Sequence, residues 1–541
     1  MTSPVLRPVA PSARALTDLT SRCADLVLAG GPPEGVFVRG ITHDSRAVRP
    51  GDLYAALPGA RVHGAAFVEQ ALAAGAAAVL TDPAGAAAVL TDPAGADRIA
   101  GLAAGSARVP VLVCADPRAA LGTVASWVYG DPSRSLTLLG VTGTNGKTTV
   151  AYLLEAGLRA AGHTTGLLGT VSTLVAGAAV PSVRTTPEAT DLQGLLAVMV
   201  EHGVTAAAME VSSHAIALHR VGGIRFAGAA FTNLSQDHLD FHPSMEAYFA
   251  TKAALFAPGR TGVSVIDTDT SWGRRLAAGV PAAVTCGRNA NARWRAIDVS
   301  GGPAGSTFRA HGPDGVDVEV RIALPGAFNV SNALVALALL VATGVGADTA
   351  AAGLASLPGV PGRMERIDAG QPFVGLVDYA HTPDAVETLL ATVRPLVGGR
   401  VIIVLGCGGD RDRGKRPLMG AAAVSGAEVT IFTSDNPRSE DPEVIIAQMC
   451  AGATTVPAGA RGEVLVEVDR AAAIRLAVSL AGSADAVVVA GKGHETGQER
   501  DGTVTPFDDR DVLRAALAAA GSGADAGTGS RQSPGGRGVH R

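Results

Sequence analysis

Three consecutive α/β units are the fold this sequence predicts, on three observations. Apolar runs of strand length alternate with helix-length periodic segments along almost the whole chain. Nearly every polar, Gly-rich stretch falls where the chain leaves such a strand, which is where ligands bind in open α/β sheets. The length of 541 residues suits three or four domains, at roughly 150 residues each.

Composition narrows the function classes. Hydrophobic residues are 47% and charged residues 17% of the chain, as in a globular protein. The net charge of −5 lacks the basic footprint of a nucleic-acid binder, and 4% aromatics leave little for base stacking. Cys23, Cys114, Cys286, Cys407 and Cys450 never form C-x-x-C, so neither a disulfide framework nor a zinc site is suggested. The longest apolar run, Ala333 to Ala347, falls short of the ~20 residues that cross a bilayer and reads as a buried helix. Met1 to Leu19 holds no continuous apolar core of a signal peptide, so a cytoplasmic protein is expected.

The elements follow in order. Residues 1–35 read as a loose N-terminus. From Val36, VFVRGITHDSR is a strand ending in a polar loop, and RPGDLYAAL is a turn at Pro50-Gly51 and a second strand. AAFVEQALAAG is a helix closed by Gly75, and GAAAVLTD a third strand. The decapeptide GAAAVLTDPA at 75–84 recurs unchanged at 85–94. Only one copy can hold one strand position, so the other is expected to loop out or add an edge. A turn near Pro132 ends the first unit, 36–131. The Pro- and Gly-rich LPGVPGRMER (357–366) separates a central unit, 132–361, from a third, 362–520. Residues 521–541 are low-complexity and expected to be disordered.

LLGVTGTNGKTTVAYLL (138–154) is the strongest chemical signal. An apolar strand enters a Gly-rich turn, and Lys147-Thr148-Thr149 opens a helix. Backbone N–H groups and the helix N-terminus in such a turn attract phosphate. Lys147 would reach the β- and γ-phosphates, and Thr148 would ligate Mg²⁺. The match to a P-loop is imperfect, because Val141 stands where the first glycine is wanted. Glu210 ends the strand AAAME, placed to ligate Mg²⁺ beside that loop. Asp237, His238 and Asp240 crowd one loop, while Lys252 by spacing alone reads as a surface lysine. Asn329 and Asn332 head an apolar helix, as caps or as readers of a base edge. In the third unit VDYAHTPDA, GCGGDRDRGKRP, TSDNPRSEDP and GKGHE each leave an apolar strand and together suggest a ligand rim; GCGG does not fit the dinucleotide fingerprint G-x-G-x-x-G.

THDSRAVRPGDLYAAL, GVTGTNGKTT, RTTPEAT, EVSSHAIALHR, TNLSQDHLDFH with ATK, FNVSNALVA, PGRMERID, VDYAHTPDA, GCGGDRDRGKRPLM, DNPRSEDP and GKGHE stand in this order along 36–515. Together they resemble the Mur ligase family of amide-forming enzymes, in its diaminopimelate-adding branch. The resemblance implies an N-terminal UDP-binding α/β domain, a central P-loop ATPase domain with a mostly parallel sheet, and a C-terminal Rossmann-like domain that presents an amino acid. It implies that ATP phosphorylates the D-glutamate γ-carboxylate of UDP-N-acetylmuramoyl-L-alanyl-D-glutamate, and that meso-2,6-diaminopimelate attacks the acyl phosphate in peptidoglycan precursor synthesis. Lysine addition is the alternative within the family. Folate-polyglutamate synthetases, a P-loop motor or GTPase and a nucleotide-binding scaffold are the rivals outside it.

Residue roles follow from the resemblance. Gly143, Thr144, Asn145, Gly146, Lys147, Thr148 and Thr149, with Asn329, Asn332, Arg363 and Asp378, would take ATP. Ser45, Thr185, Thr186, Ser212 and Arg220 would line the muramoyl dipeptide. Arg411, Asp435, Asn436, Arg438, Gly491 and Glu495 would form the diaminopimelate pocket. Thr148, Glu210, His238 and a carbamylated Lys252 would hold Mg²⁺. Lys147, Lys252 and His238 would be catalytic. Arg438 is the expected specificity residue, because a guanidinium grips the far carboxylate that lysine lacks. A monomer with neither nucleic-acid nor membrane partner is expected.

Overall fold

The computed structural model describes residues 6–90, 109–181 and 184–525. It is an α/β molecule built on three large sheets. The first has the order Val27–Gly30, Pro110–Val113, Ala78–Thr81, Asp52–Ala56, Gly40–Thr42. Its first strand runs antiparallel and the other four are mutually parallel. This corrects the expectation of a loose N-terminus. Leu16, Leu19 and Leu26 are buried in the core of this unit, the helix Leu16–Arg22 packs there, and Val27–Gly30 supplies the sheet edge. A few well-spaced leucines sufficed where the Pro and Ser content pointed to loop.

The tandem decapeptide also departs from expectation. In the first copy Ala78–Thr81 is a fully buried strand between its two neighbours. In the second, Gly85 to Leu90 belongs to the helix Pro83–Leu90. The second copy is therefore neither looped out nor an added edge over these residues; its last residues, 91–94, lie outside those described. Identical residues take two conformations because only one sheet position exists, so tertiary context overrides local propensity.

The central sheet has eleven strands among the described residues. Thr137–Thr142 lies between Ala206–Glu210 and Phe226–Phe231, all parallel. Register pairs Glu210 with Val141 and Phe231 with Thr142, so three chain segments leave the sheet along one edge. The helices Lys147–Ala160 and Ala327–Ala342 cover one face in a common core. The apolar run from Ala333 is, as expected, a buried helix; it stops at Ala342, turns at Gly344 and resumes at Ala347–Ala355.

The third sheet runs Glu365–Arg366, Val374–Asp378, Ala486–Ala490, Val401–Leu405, Val429–Phe432, Glu463–Val466, with the last five parallel. VIIVL and AVVVA are buried throughout, which is why they read as unbroken apolar runs. The last helix extends from Asp509 to Asp525, so residues 521–525 are helical rather than part of a disordered tail; 526–541 lie outside the described residues. Among the described residues no helix is long and apolar enough to cross a membrane.

Leu337, fully buried in Ala327–Ala342, anchors the helix that backs the Gly-rich turn. Leu337→Ala should destabilise the central unit by about 2–5 kcal/mol, read as a lower midpoint in thermal unfolding.

Candidate active site

The Gly-rich turn is gripped from both flanking strand ends. On one side Asn145 N–H donates to Asn233 Oδ1 at 2.9 Å, and the Thr232 hydroxyl donates to Asn145 O at 2.6 Å. On the other, the Thr148 hydroxyl donates to Glu210 Oε2 at 3.1 Å. Glu210 is itself oriented by Thr170, whose N–H lies 2.7 Å from Oε1 and whose hydroxyl lies 3.1 Å from Oε2. Gly146 has φ +85°, and a Cβ there would collide with Asn332 Oδ1. Asn332 also donates to Asn329 Oδ1, and Asn329 to Pro325 O. Neither asparagine caps its helix, whose N-cap is Gly326.

Lys147 and Lys252 converge on one acceptor, with their Nζ atoms 2.9 and 2.7 Å from Gly143 O. Lys252 is 1% exposed, which overturns the surface reading. Burial, then the charge of Lys147, drives its pKa well below that of a free lysine; Lys147 is also lowered, chiefly by burial. Hard oxygen donors from Thr148 and Glu210, in hydrogen-bond reach of each other, fit a Mg²⁺ ion.

Beside this turn lies a cavity of about 610 Å³ between the central and third units. One wall carries Thr185, Thr186, Ser212, Arg220 and His238. Thr186 ties this wall together. Its hydroxyl donates to Glu210 O and accepts from Ser212 N–H, and its carbonyl accepts from Arg220. Ser212 caps the short helix Ser213–Ala217. Arg220, Arg184 and Arg118 surround Glu188 at 2.9, 2.7 and 3.7 Å.

The opposite wall carries Arg411, Asp435, Asn436, Arg438, Gly491 and Glu495. Asn436 donates to Glu495 Oε2 at 2.8 Å, and Lys492 Nζ reaches both Asn436 Oδ1 and Glu495. Arg438 donates to Gly409 O at 2.7 Å and pairs with Glu499 at 3.2 Å. Beneath it the fully buried Arg416 forks onto Glu440 at 2.8 and 3.0 Å and onto Gly408 O. Glu440 also accepts Asp410 N–H. The 406–414 and 433–441 loops are thus locked together, and Arg416 holds the Glu440 carboxyl down to about 2. Burial opposes the ionisation of Asp435, but Lys492 and Arg470 keep its pKa below the usual carboxylate range. His238 and Arg438, with φ +53° and +52°, are both left-handed non-glycine residues on this cavity, at a cost of order 1–3 kcal/mol each.

Arg363 joins the units. Its guanidinium donates to Thr148 Oγ1 at 3.2 Å and lies 4.3 Å from the centre of the Tyr379 ring. Asp378, with its pKa raised by burial, accepts Met364 and Ala380 N–H at 2.7 Å each.

Three family models match the chain: "Mur ligase family, catalytic domain" over 37–129, "Mur ligase middle domain" over 141–340 and "Mur ligase, glutamate ligase domain" over 362–493. A Streptomyces coelicolor protein, UDP-N-acetylmuramoyl-L-alanyl-D-glutamate–2,6-diaminopimelate ligase, is 53% identical over 94% of this chain and 98% of its own length. The chain belongs to the Mur ligase family. A Corynebacterium glutamicum Mur ligase of the same name is 48% identical over 88% of this chain and 90% of its own length. A solved structure of a ligase with that name superposes with a TM-score of 0.61 at 34% identity, covering 90% of this chain and 96% of that one.

Of the residues singled out in the sequence of this Mur ligase, Thr185, Thr186, Ser212, Arg220, His238 and the six on the opposite wall share the cavity. Lys147, Thr148, Glu210, Lys252, Asn332 and Arg363 meet around the Gly-rich turn. Ser45 stands apart in the first unit, bonded to Gln70. Thr170, Thr232, Asn233, Lys492 and Arg416 were missed as site residues. TNLS and GKGHE drew notice as motifs, but these residues act by long-range bonds that spacing cannot reveal.

Gly146→Ala should weaken nucleotide binding at least tenfold, measured by calorimetry, because alanine meets both a positive φ and Asn332. Burial, then Arg363, holds His494 at about 3 against an ordinary 6.5. The unfolded chain therefore binds a proton at His494 before the folded chain does, and stability falls as pH drops from 6.5 toward 3. His494→Gln should reduce the loss of thermal midpoint between pH 7.5 and pH 5 in unfolding scans.

Proposed function

We propose that this chain joins meso-2,6-diaminopimelate to the D-glutamate γ-carboxylate of UDP-N-acetylmuramoyl-L-alanyl-D-glutamate at the expense of ATP, a step in peptidoglycan precursor synthesis. The observation that carries the reading is the cavity between two unlike polar walls, one of them tied through Thr170 and Glu210 to a phosphate-type loop, in a chain 53% identical to a protein of that name. The relatives' shared name favours diaminopimelate over the lysine alternative. Residues 36–131 would hold the UDP end, with Ser45 in that contact, 132–361 the ATP, and 362–520 the amino acid. The enzyme would act in the cytoplasm as a monomer.

The chemistry sets what each part must do. A carboxylate is a poor electrophile, so the γ-phosphoryl group of ATP is first transferred to it. Lys147, the turn's N–H groups and Arg363 offset the charge of that group. Asn329 and Asn332 would face the adenine side and Asp378 would contact the ribose. Thr148, Glu210, His238 and a carbamylated Lys252 would hold Mg²⁺, which when bound supplies further neutralisation of phosphate charge. A lysine must be uncharged to capture CO₂. Burial of Lys252 lowers its pKa in that direction. Thr185, Thr186, Ser212 and Arg220 orient the dipeptide. Arg438 pairs with the far carboxylate of diaminopimelate, while Glu495 and Asp435 suit its ammonium groups. Acyl phosphates hydrolyse, so closing of the two units over the cavity would protect the intermediate.

Phosphate release from ATP with the UDP-dipeptide should require diaminopimelate, and lysine should not replace it. Arg438→Ala should lower kcat/KM for diaminopimelate at least tenfold with little change in KM for ATP. Equal turnover with lysine would contradict the role of Arg438. In ¹³C-bicarbonate the wild type should show a carbamate resonance that Lys252→Ala lacks.

A further inference from the structure

We infer that His381 is the general base that takes a proton from the attacking amine. This rests on the ligase reading above and adds a residue to it. An amino-acid nitrogen arrives as an ammonium with no free electron pair, so a group in the cavity must remove a proton before the C–N bond can form.

His381 follows the strand Val374–Asp378 and lines the cavity that Thr186 and Asn436 line from opposite sides. Its Nδ1 lies 2.7 Å from Tyr379 O. A carbonyl oxygen only accepts, so Nδ1 carries the hydrogen and Nε2 keeps the lone pair. The Tyr379 ring, edge-on with centroids 4.4 Å apart, holds the imidazole further. Burial, then Lys415 and Arg363, disfavours the imidazolium; Asp237 and the Tyr379 carbonyl favour it, and the balance lies below an ordinary histidine. Two other candidates are engaged: His238 pairs with Asp237 at 3.3 Å, and Glu495 is held by Asn436 and Lys492.

The step balances. Nε2 takes one proton from the ammonium, and the freed pair forms the C–N bond at the acyl-phosphate carbon. The C–O bond to phosphorus then breaks with its electrons, inorganic phosphate leaves, and the remaining excess N–H proton goes with it. The imidazolium returns its proton to solvent.

The test uses His381→Asn, whose amide can still donate to Tyr379 O but carries no base at the Nε2 position. Wild type and variant receive ATP and the UDP-dipeptide with either diaminopimelate or hydroxylamine. Hydroxylamine is unprotonated at neutral pH and traps the acyl phosphate as a hydroxamate without needing a base. Amide formation should fall roughly 100-fold or more, while hydroxamate formation stays within about threefold of wild type. That second product also reports that the variant is folded and phosphorylates its substrate. Parallel loss of both products, or an unchanged amide rate, would overturn the role. A wild type that forms the hydroxamate but no diaminopimelate product would instead overturn the amino-acid assignment on which the role depends.

Discussion

Thr148 bonds to Glu210 on one side of the Gly-rich turn, and Thr232 and Asn233 bond to Asn145 on the other. The turn is therefore set by the register of three parallel strands rather than by its own sequence. This grip explains how the loop tolerates Val141 at the position where a glycine is usual: Val141 is a buried strand residue, and the bend begins only at Gly143. The same strand ends deliver Glu210, Thr186 through its bond to Glu210 O, and the loop that bears His238. Shifting one strand would move the Gly-rich turn, Glu210 and the Thr186 wall together.

The second constraint is the contact between units. Arg363 reaches back from the linker to Thr148 while stacked on Tyr379, so one guanidinium senses the loop and the third sheet at once. The cavity wall of the third unit is braced separately by ion pairs whose arginines are fully buried. Arg416 with Glu440 ties two loops, and Arg470 with Asp509 sits below Asp435 with both side chains fully buried. Removing one partner of such a pair leaves a charge in a medium that cannot solvate it, which makes the brace all-or-none.

Much of this was legible in the sequence for physical reasons. Strands covered on both faces must be apolar throughout, so VIIVL and AVVVA announced themselves, and parallel topology placed the polar segments at their carboxyl ends. Other features were not legible. The two copies of GAAAVLTDPA differ only in their neighbours, and the N-terminal strand and helix depend on a core assembled from distant residues. Lys252 looked like a surface lysine because nothing local reports that the carbonyl of Gly143, 109 positions earlier, meets it beside Tyr248. Thr232 and Asn233 grip a loop nearly ninety positions earlier, with a separation of 88 residues between Asn145 and Asn233.

The central claim is that acceptor and amino acid meet in one cavity from opposite walls. The structure of the protein bound to the UDP-muramoyl-tripeptide product tests it most directly. The account predicts the D-glutamyl segment against Thr185, Thr186 and Arg220, the new amide in the space before His381, and the far carboxylate on Arg438. A product whose diaminopimelate end lies away from Arg438, or whose amide sits outside this cavity, would contradict it.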